Sequence, residues 1–185
     1  MIIRELTQEE ADEKIYPLLN EAFADTFGYS IFDVRNELEL QQFPRLKDSF
    51  RKREFIFLGA FNEADQLMGY SISFQARTYE LYTQTSVVLP EHRRKGIYTA
   101  LTKNILKLAE EKGYQMVTSN HVASNNAVIM AKLKLGFYIS GFELLDDFGA
   151  LVKCTYFLNE KRNRMYNVRT SLKRPDQDLR DLLKL

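Results

Sequence analysis

VVLPEHRRKGIYTALTKNIL, Val87–Leu106, runs from an apolar stretch through a knot of positive charge and one glycine into an amphipathic pattern. Ile97, Ala100, Leu101, Ile105, Leu108 and Ala109 recur at spacings of three and four, which predicts a helix ending at Lys112-Gly113. A strand that turns into a helix aims the helix's first N–H groups, and the positive end of its dipole, at whatever lies above the strand end. Arg93, Arg94 and Lys95 add full charges there, and Gly96 has no Cβ to keep a ligand oxygen from the backbone. Together these describe a pyrophosphate cradle. Neither GxxxxGK[ST] nor GxGxxG occurs. The plainer reading is a solvated helix start whose basic residues answer Glu91.

Working outward, Ile2–Leu6 reads as a short strand, and 8–24 and 33–50 as two helices separated by the aromatic loop FGYSIF. EFIFLGAFN (54–62) and LMGYSISF (67–74) flank NEADQ and predict a hairpin; LYTQTSVVL (81–89) is a third strand. Its alternation fails at Val87-Val88-Leu89 before Pro90, which predicts a distortion or the end of regular pairing. After the helix come a strand QMVTSN (115–120), a helix from Ser124 to Leu135 closed by Gly136, and a hairpin of FYISGFELL and ALVKCTYFL around DDFG. The expected fold is α/β with a mixed sheet whose parallel part lies near the basic knot.

The composition limits the function. In 185 residues, 26 Lys and Arg face 25 Asp and Glu, so the formal charge is +1 and a dedicated nucleic-acid binder is disfavoured. Cys154 is the sole cysteine, the start MIIRELTQEE is acidic, and no apolar run is long enough for a bilayer; a cytoplasmic, non-membrane protein is expected. We expect one domain over 1–160 and a tail over 161–185. KRNRMYNVRTSLKR (161–174) holds six basic residues and no acid, and LRDLLKL puts Leu179, Leu182 and Leu183 on one helical face. A frayed, solvated tail is the simpler expectation; docking on its own domain or on a dimer partner is the other.

VLPEHRRKGIYTAL, Val88–Leu101, resembles the acyl-CoA pyrophosphate motif of the GNAT superfamily of N-acyltransferases: Gln or Arg, two variable residues, Gly, one variable residue, then Gly or Ala. It matches as Arg93-Arg94-Lys95-Gly96-Ile97-Tyr98, with Tyr98 where a small residue is usual. NNAVIMAKLKLGF (125–137) resembles the family's second motif, an Asn opening a helix that ends in K-x-G-F. The resemblance covers 55–158. It implies a mostly antiparallel, twisted sheet flanked by helices and splayed near the acyl-CoA site, with acetyl-CoA as co-substrate. Backbone N–H groups of Arg94, Lys95, Gly96, Ile97 and Tyr98 hold the pyrophosphate in this reading, and Arg93 and Lys95 add charge. Pantetheine lies along Ser86, Val87 and Val88 as a pseudo-strand, and the Val88 N–H faces the thioester oxygen. Asn125 either bonds the pantetheine arm or simply caps its helix.

The implied reaction is direct attack by a primary amine on the thioester in a ternary complex, with the developing oxyanion held by the Val88 N–H. A thiolate with a pKa near ~8.5 leaves tolerably without a proton donor. The family often places Tyr seven residues after the motif Asn; here Lys132 stands there, either as a cation for the thiolate or as an ordinary solvated helical lysine. An amine of pKa near ~10.4 costs about 4 kcal/mol to deprotonate at pH 7.5, whereas an α-amine near ~8 costs almost nothing. Where many relatives carry a basic Glu, this chain has Tyr82; Glu80, two residues earlier on the same face, is the preferred base, acting through water, against a plain surface acid beside a turn. That gap favours a low-pKa amine or a water relay.

His92 and His121 do not suggest a metal set, Cys154 reads as a buried small apolar residue, and DDFG without a glycine-rich loop or HRD is a hairpin turn. Phe27, Tyr29 and Phe32 either cap an acceptor pocket or fill the core. The expected activity is N-acetyl transfer to a small-molecule or peptide amine, by a monomer or homodimer. Two other readings use the same cradle: an acyl-CoA sensor or scaffold without catalysis, and a nucleotide-phosphate binder.

Overall fold

The alternating and double-sided apolar runs of the sequence become one seven-stranded sheet, ordered β1-β2-β3-β4-β5-β7-β6. Its strands are β1 (Ile2–Leu6), β2 (Phe55–Phe61), β3 (Leu67–Arg77), β4 (Glu80–Val88), β5 (Met116–Val122), β6 (Tyr138–Leu145) and β7 (Gly149–Phe157). The helices are α1 (Gln8–Lys14), α2 (Tyr16–Phe23), α3 (Glu37–Arg51), α4 (Ile97–Glu111), α5 (Asn126–Lys134), α6 (Glu160–Arg169) and α7 (Gln177–Leu183). The structure is a computed structural model and describes residues 1–23 and 34–184; Phe27, Tyr29 and Phe32 lie outside them. All pairings are antiparallel except β4 with β5, the pair joined through the basic knot, as the order of elements predicts.

β2 and β3 are buried along nearly their whole length because both faces of the sheet are covered. On one face Leu58, Leu81 and Val117 meet Ile97, Leu101 and Ile105 of α4 and Ile129 of α5. On the other, Phe57, Tyr70 and Ile72 meet Ala11 and Ile15. NEADQ makes the first hairpin, where the Asn62 side chain accepts from the N–H groups of Ala64 and Gln66. DDFG makes the second, with Gly149 at φ 69°.

In β4 the broken alternation has a physical cause. The register with β3 steps from Ser73↔Thr83 to Ile72↔Thr85, so Gln84 is an unpaired bulge. A one-residue insertion swaps the faces of everything after it. Leu81 therefore packs on the α4 core, while beyond the bulge Val87 packs on the α1 side and Val88 on the α4 side. Consecutive valines are apolar because each reaches a different core. Pairing ends at Val88 as expected, but the distortion itself sits earlier, at Gln84.

The tail corrects the simpler expectation. Tyr166 of α6 packs on Tyr138 and Phe157, ring centroids 5.1 and 5.0 Å away, and donates its hydroxyl proton to the Ile139 carbonyl. Arg162 bonds Gln115 and lies over the Tyr79 ring, Arg164 pairs with Asp176, and Leu179 is buried. The segment docks on its own domain because apolar and stacking contacts, not charge alone, hold it.

Leu101 is fully packed between α4 and the sheet. Leu101→Ala should lower the unfolding free energy by about 2–5 kcal/mol, read by urea denaturation at unchanged m-value.

Candidate active site

The functional region forms where β4 and β5 part. They pair in parallel only over Glu80↔Met116, Leu81↔Val117 and Tyr82↔Thr118. Past that point β4 continues on β3 and β5 continues on β7, leaving a gap between them. Leu89 N–H donates to the Met68 carbonyl at 3.0 Å, so the alternation of antiparallel pairing turns the backbone N–H groups of Val88 and Ser86 away from β3 and into that gap. The Val88 carbonyl, pointing the same way, accepts from Arg93 Nε at 3.2 Å. On the α4 side the Ser86 hydroxyl meets Ser71 Oγ at 2.7 Å.

At the mouth of the gap a short turn, Pro90–His92, leads into α4. Arg94 and Gly96 have φ of 61° and 77°, so the chain curls through left-handed backbone just before the helix. A Cβ built on Gly96 would meet nothing within 4 Å, so this cradle is open. Thr7, Asn36, Asn125, Asn159 and Asp176 each cap their helices with a side-chain oxygen, but α4 begins at Gly96 with no side-chain cap and no acid in its first turn. Its leading N–H groups stay available to an anion. Arg93, Arg94 and Lys95 are exposed around it. Lys95 bonds the Glu91 carbonyl rather than its carboxylate. Glu91 pairs with His92 instead, at 3.7 Å. Ile97 points inward as core, and Asn125 Oδ1 caps α5 by accepting from Val128 N–H at 3.3 Å.

Lys132 overturns its ordinary reading. It is 1% exposed, because α5 lays that position against the sheet. Its ammonium makes no hydrogen bond or ion pair among the described residues and lies 4.3 Å from the Phe137 ring centroid and 5.8 Å from that of Tyr98. Burial pulls it down to about 8, the Cys154 thiol partly opposing. Around it, burial raises the Cys154 thiol, and burial followed by the Lys132 charge lowers His121 to about 4, leaving a neutral imidazole whose Nε2 is 2.9 Å from Ser119 Oγ. The Tyr98 hydroxyl is buried without a hydrogen-bond partner among the described residues, and burial raises its pKa.

The opposite face carries the second group. Glu80 is 4% exposed, so it is no surface acid. It accepts from Thr118 Oγ1 at 2.6 Å and faces Arg77 at 3.6 Å and Lys153 at 3.8 Å. Tyr82 stacks on Phe74 at 5.3 Å and reaches the Asn120 backbone; burial and then the Glu143 charge raise its pKa, that backbone contact opposing. The sheet thus separates Lys132 from Glu80 and Tyr82; Tyr82 is the last β4 residue paired with β5, and Glu80, two residues back, reaches Thr118 beside it. Thr118, Asn120, Glu143 and Lys153 join this face from β5, β6 and β7. No local pattern marks them; only the register of three strands brings them together.

The sequence matches the acetyltransferase (GNAT) family over residues 13–137, which is most of the chain. No curated protein matches it. The ribosomal-protein-alanine N-acetyltransferase of Brucella melitensis is similar in structure, with TM-score 0.64, 19% identity, and coverage of 85% of this chain and all of that one (100%). An N-acetyltransferase of Staphylococcus aureus Mu50 gives TM-score 0.62 at 21% identity, over 85% and 98% of the two chains. A Salmonella typhimurium protein assigned as an acetyltransferase, solved with its cofactor acetyl-CoA, gives TM-score 0.64 at 18% identity over 86% and 95%. The chain belongs to the GNAT acetyltransferase family and is an acyltransferase. Acetyl-CoA is the family's acyl donor, and its acceptors are in general amines. No helix among the described residues is long and apolar enough to cross a membrane.

Because the folded pKa of Lys132 lies below the ordinary value of 10.5, the unfolded chain binds the extra proton between pH 8 and 10.5. Native stability contributed by this group therefore rises with pH across that window, and the full cost of the buried charge is present below pH 8. Lys132→Met should raise unfolding stability at pH 7 by about 1–3 kcal/mol. Urea titrations of both proteins at pH 7 and pH 10 check this; the variant's advantage should shrink at the higher pH.

Proposed function

We propose that this protein is an N-acetyltransferase that passes the acetyl group of acetyl-CoA to a primary amine, by direct attack with both substrates bound. The observation that carries the reading is the meeting of an uncapped, glycine-led helix start with two outward-facing strand N–H groups at one gap in the sheet.

The pyrophosphate lies on the N–H groups from Arg94 to Tyr98, where an α4 start without a side-chain cap offers donors and dipole, and Arg93, Arg94 and Lys95 supply countercharge. The acyl arm runs along β4 as a pseudo-strand, with Ser86 and Val88 donating from the backbone. Val88 N–H is the oxyanion donor, aimed by a strand that cannot rotate it away. When bound, acetyl-CoA supplies an activated acyl carbon: the amine nitrogen bonds to it, the C–S bond breaks, nitrogen loses a proton and sulfur gains one.

Lys132 is the proton source on the sulfur side. An acid of pKa about 8 is well matched to a thiol near ~8.5, and a buried ammonium without a hydrogen-bond partner has an unused donor. Glu80 serves the amine side as a water-linked proton acceptor, and Tyr82 shapes the wall beside it. With Tyr82 where many relatives carry a Glu, the site suits an amine that is already partly uncharged near neutral pH.

The direct test is calorimetric titration with acetyl-CoA and CoA of the native protein, Gly96→Ala and Gly96→Glu. Any side chain strains the left-handed backbone by about 1–2 kcal/mol. Gly96→Ala should therefore weaken binding modestly, while Gly96→Glu, bringing negative charge into the cradle, should abolish it. Equal binding by native and Glu variant would sink the cradle. In a CoA-release assay with an amine that turns over, kcat should fall as pH rises through about 8, where Lys132 loses its proton. Lys132→Met should remove that descending limb and lower kcat by about 10²-fold; an unchanged limb would reassign the acid.

A further inference from the structure

On the face that carries Glu80 and Tyr82, two polar side-chain atoms are buried without a hydrogen-bond partner among the described residues, the Tyr70 hydroxyl within the core and the Asn120 amide oxygen just past the β4–β5 pairing. Asn120 stands in β5 two residues past Thr118, the last β5 residue in register with β4, and shares the face of Thr118. Its amide nitrogen donates to Glu143 Oε2 at 2.6 Å. A carboxylate offers lone pairs and no proton, so this bond fixes which end of the amide is which. The amide oxygen is then turned away from Glu143, and it is buried with no hydrogen-bond donor among the described residues. Leaving a buried acceptor unmet costs about 1–3 kcal/mol.

Two neighbours that could supply a proton are turned toward Glu80 instead. The Thr118 hydroxyl is given to Glu80, and Lys153, the register partner of Asn120, leans toward Glu80 at 3.8 Å. Glu143 itself has no ion pair among the described residues. Beside them the Tyr82 ring continues into an aromatic floor, with Phe74 5.3 Å away and Phe50 a further 5.1 Å on. An N–H donor attached to an apolar body matches this pairing of an acceptor atom with aromatic rings.

We infer that Asn120 Oδ1 anchors the acceptor by taking one N–H of its primary amine, that Glu143 holds the amide in that orientation, and that the acceptor carries an apolar or aromatic group, not a carboxylate, beside the amine. An uncharged primary amine has two N–H groups and one lone pair. Binding one N–H to a fixed oxygen leaves the lone pair free to be aimed. A carboxylate on the same carbon would meet Glu143 and lose affinity. This inference rests on the acyltransferase reading of the gap.

The test uses benzylamine and phenylglycine, which share a ring and a primary amine and differ by a carboxylate on the amine-bearing carbon. Each is titrated into the ¹⁵N-labelled full-length protein, with and without saturating CoA, while the Asn120 side-chain amide signals are followed. Benzylamine should shift those signals saturably and bind about tenfold more tightly than phenylglycine. Asn120→Leu should weaken benzylamine about tenfold, and Glu143→Ala several-fold by freeing the amide to turn, with CoA affinity unchanged in both. The idea is overturned by Asn120 signals that do not move, by Asn120→Leu binding benzylamine within about twofold of native, or by phenylglycine binding as well. Absence of CoA binding would instead remove the acyltransferase reading, and the amine titration without CoA still reports on Asn120 separately.

Discussion

The structure depends on a sheet that stops being a sheet in one place. β4 and β5 exchange hydrogen bonds as far as Tyr82 and Thr118, and the bulge at Gln84 then turns β4 onto β3 alone. Had the two strands stayed paired, the outward N–H groups of Ser86 and Val88 would be spent on β5 and the carbonyl that holds Arg93 would be occupied. Parting them leaves backbone donors in fixed positions without a flexible loop. The same bulge places Val87 and Val88 in opposite cores, so the unpaired edge is gripped from both faces of the sheet. Rigidity of an unpaired edge is the condition for it to act as a strand-like receptor.

The sheet is also a partition. On the α4 and α5 side, Lys132, Cys154, His121 and Tyr98 share a dry environment in which burial shifts every titrating group toward its neutral form. On the other side, Glu80 keeps cations and a hydroxyl around it. The proposed reaction moves a proton off nitrogen and puts one on sulfur, and the sheet keeps the residues proposed for those two transfers on separate faces. The cost falls on stability: a buried ammonium without an ion pair is among the least favourable residues a core can hold.

Much of this was legible in the residues because it is local. The basic knot with Gly96, the α4 spacing to Lys112-Gly113, the two hairpin turns and the single parallel pair all follow from short-range patterns, and so does Asn125 as a cap. The misreadings have a common origin. Lys132 and Glu80 look like surface charges because a sequence shows a residue's type but not what a neighbouring strand or ring does to its exposure. Tyr166 and Leu179 sit among basic residues that suggest a solvated tail, yet their partners, Tyr138 and Phe157 for the former, come from the last hairpin. Asn120 carries no local signal at all. Its importance lies in which of its two amide ends meets Glu143, a fact that exists only once β5, β7 and β6 are in register.

Two departures from the family pattern that look independent in sequence meet in space. Tyr98 stands where the pyrophosphate motif has a small residue, and Lys132 stands where relatives often carry a tyrosine. Tyr98 does not crowd the cradle, because its ring turns inward from α4, and there it comes within 5.8 Å of the Lys132 ammonium. Phe137, at the end of the second motif, lies 4.3 Å away. A cation in a dry core is tolerated best against the negative faces of aromatic rings, which attract it without requiring a counter-charge that would hold its proton more firmly. A carboxylate in the place of Tyr98 would favour the charged lysine and oppose the burial that lowers its pKa. Burial lowers it to about 8, the Cys154 thiol partly opposing, and aromatic rings are its nearest walls. The tyrosine of the first motif and the lysine of the second thus share one buried environment, and the proposed proton transfer to sulfur draws on both departures together.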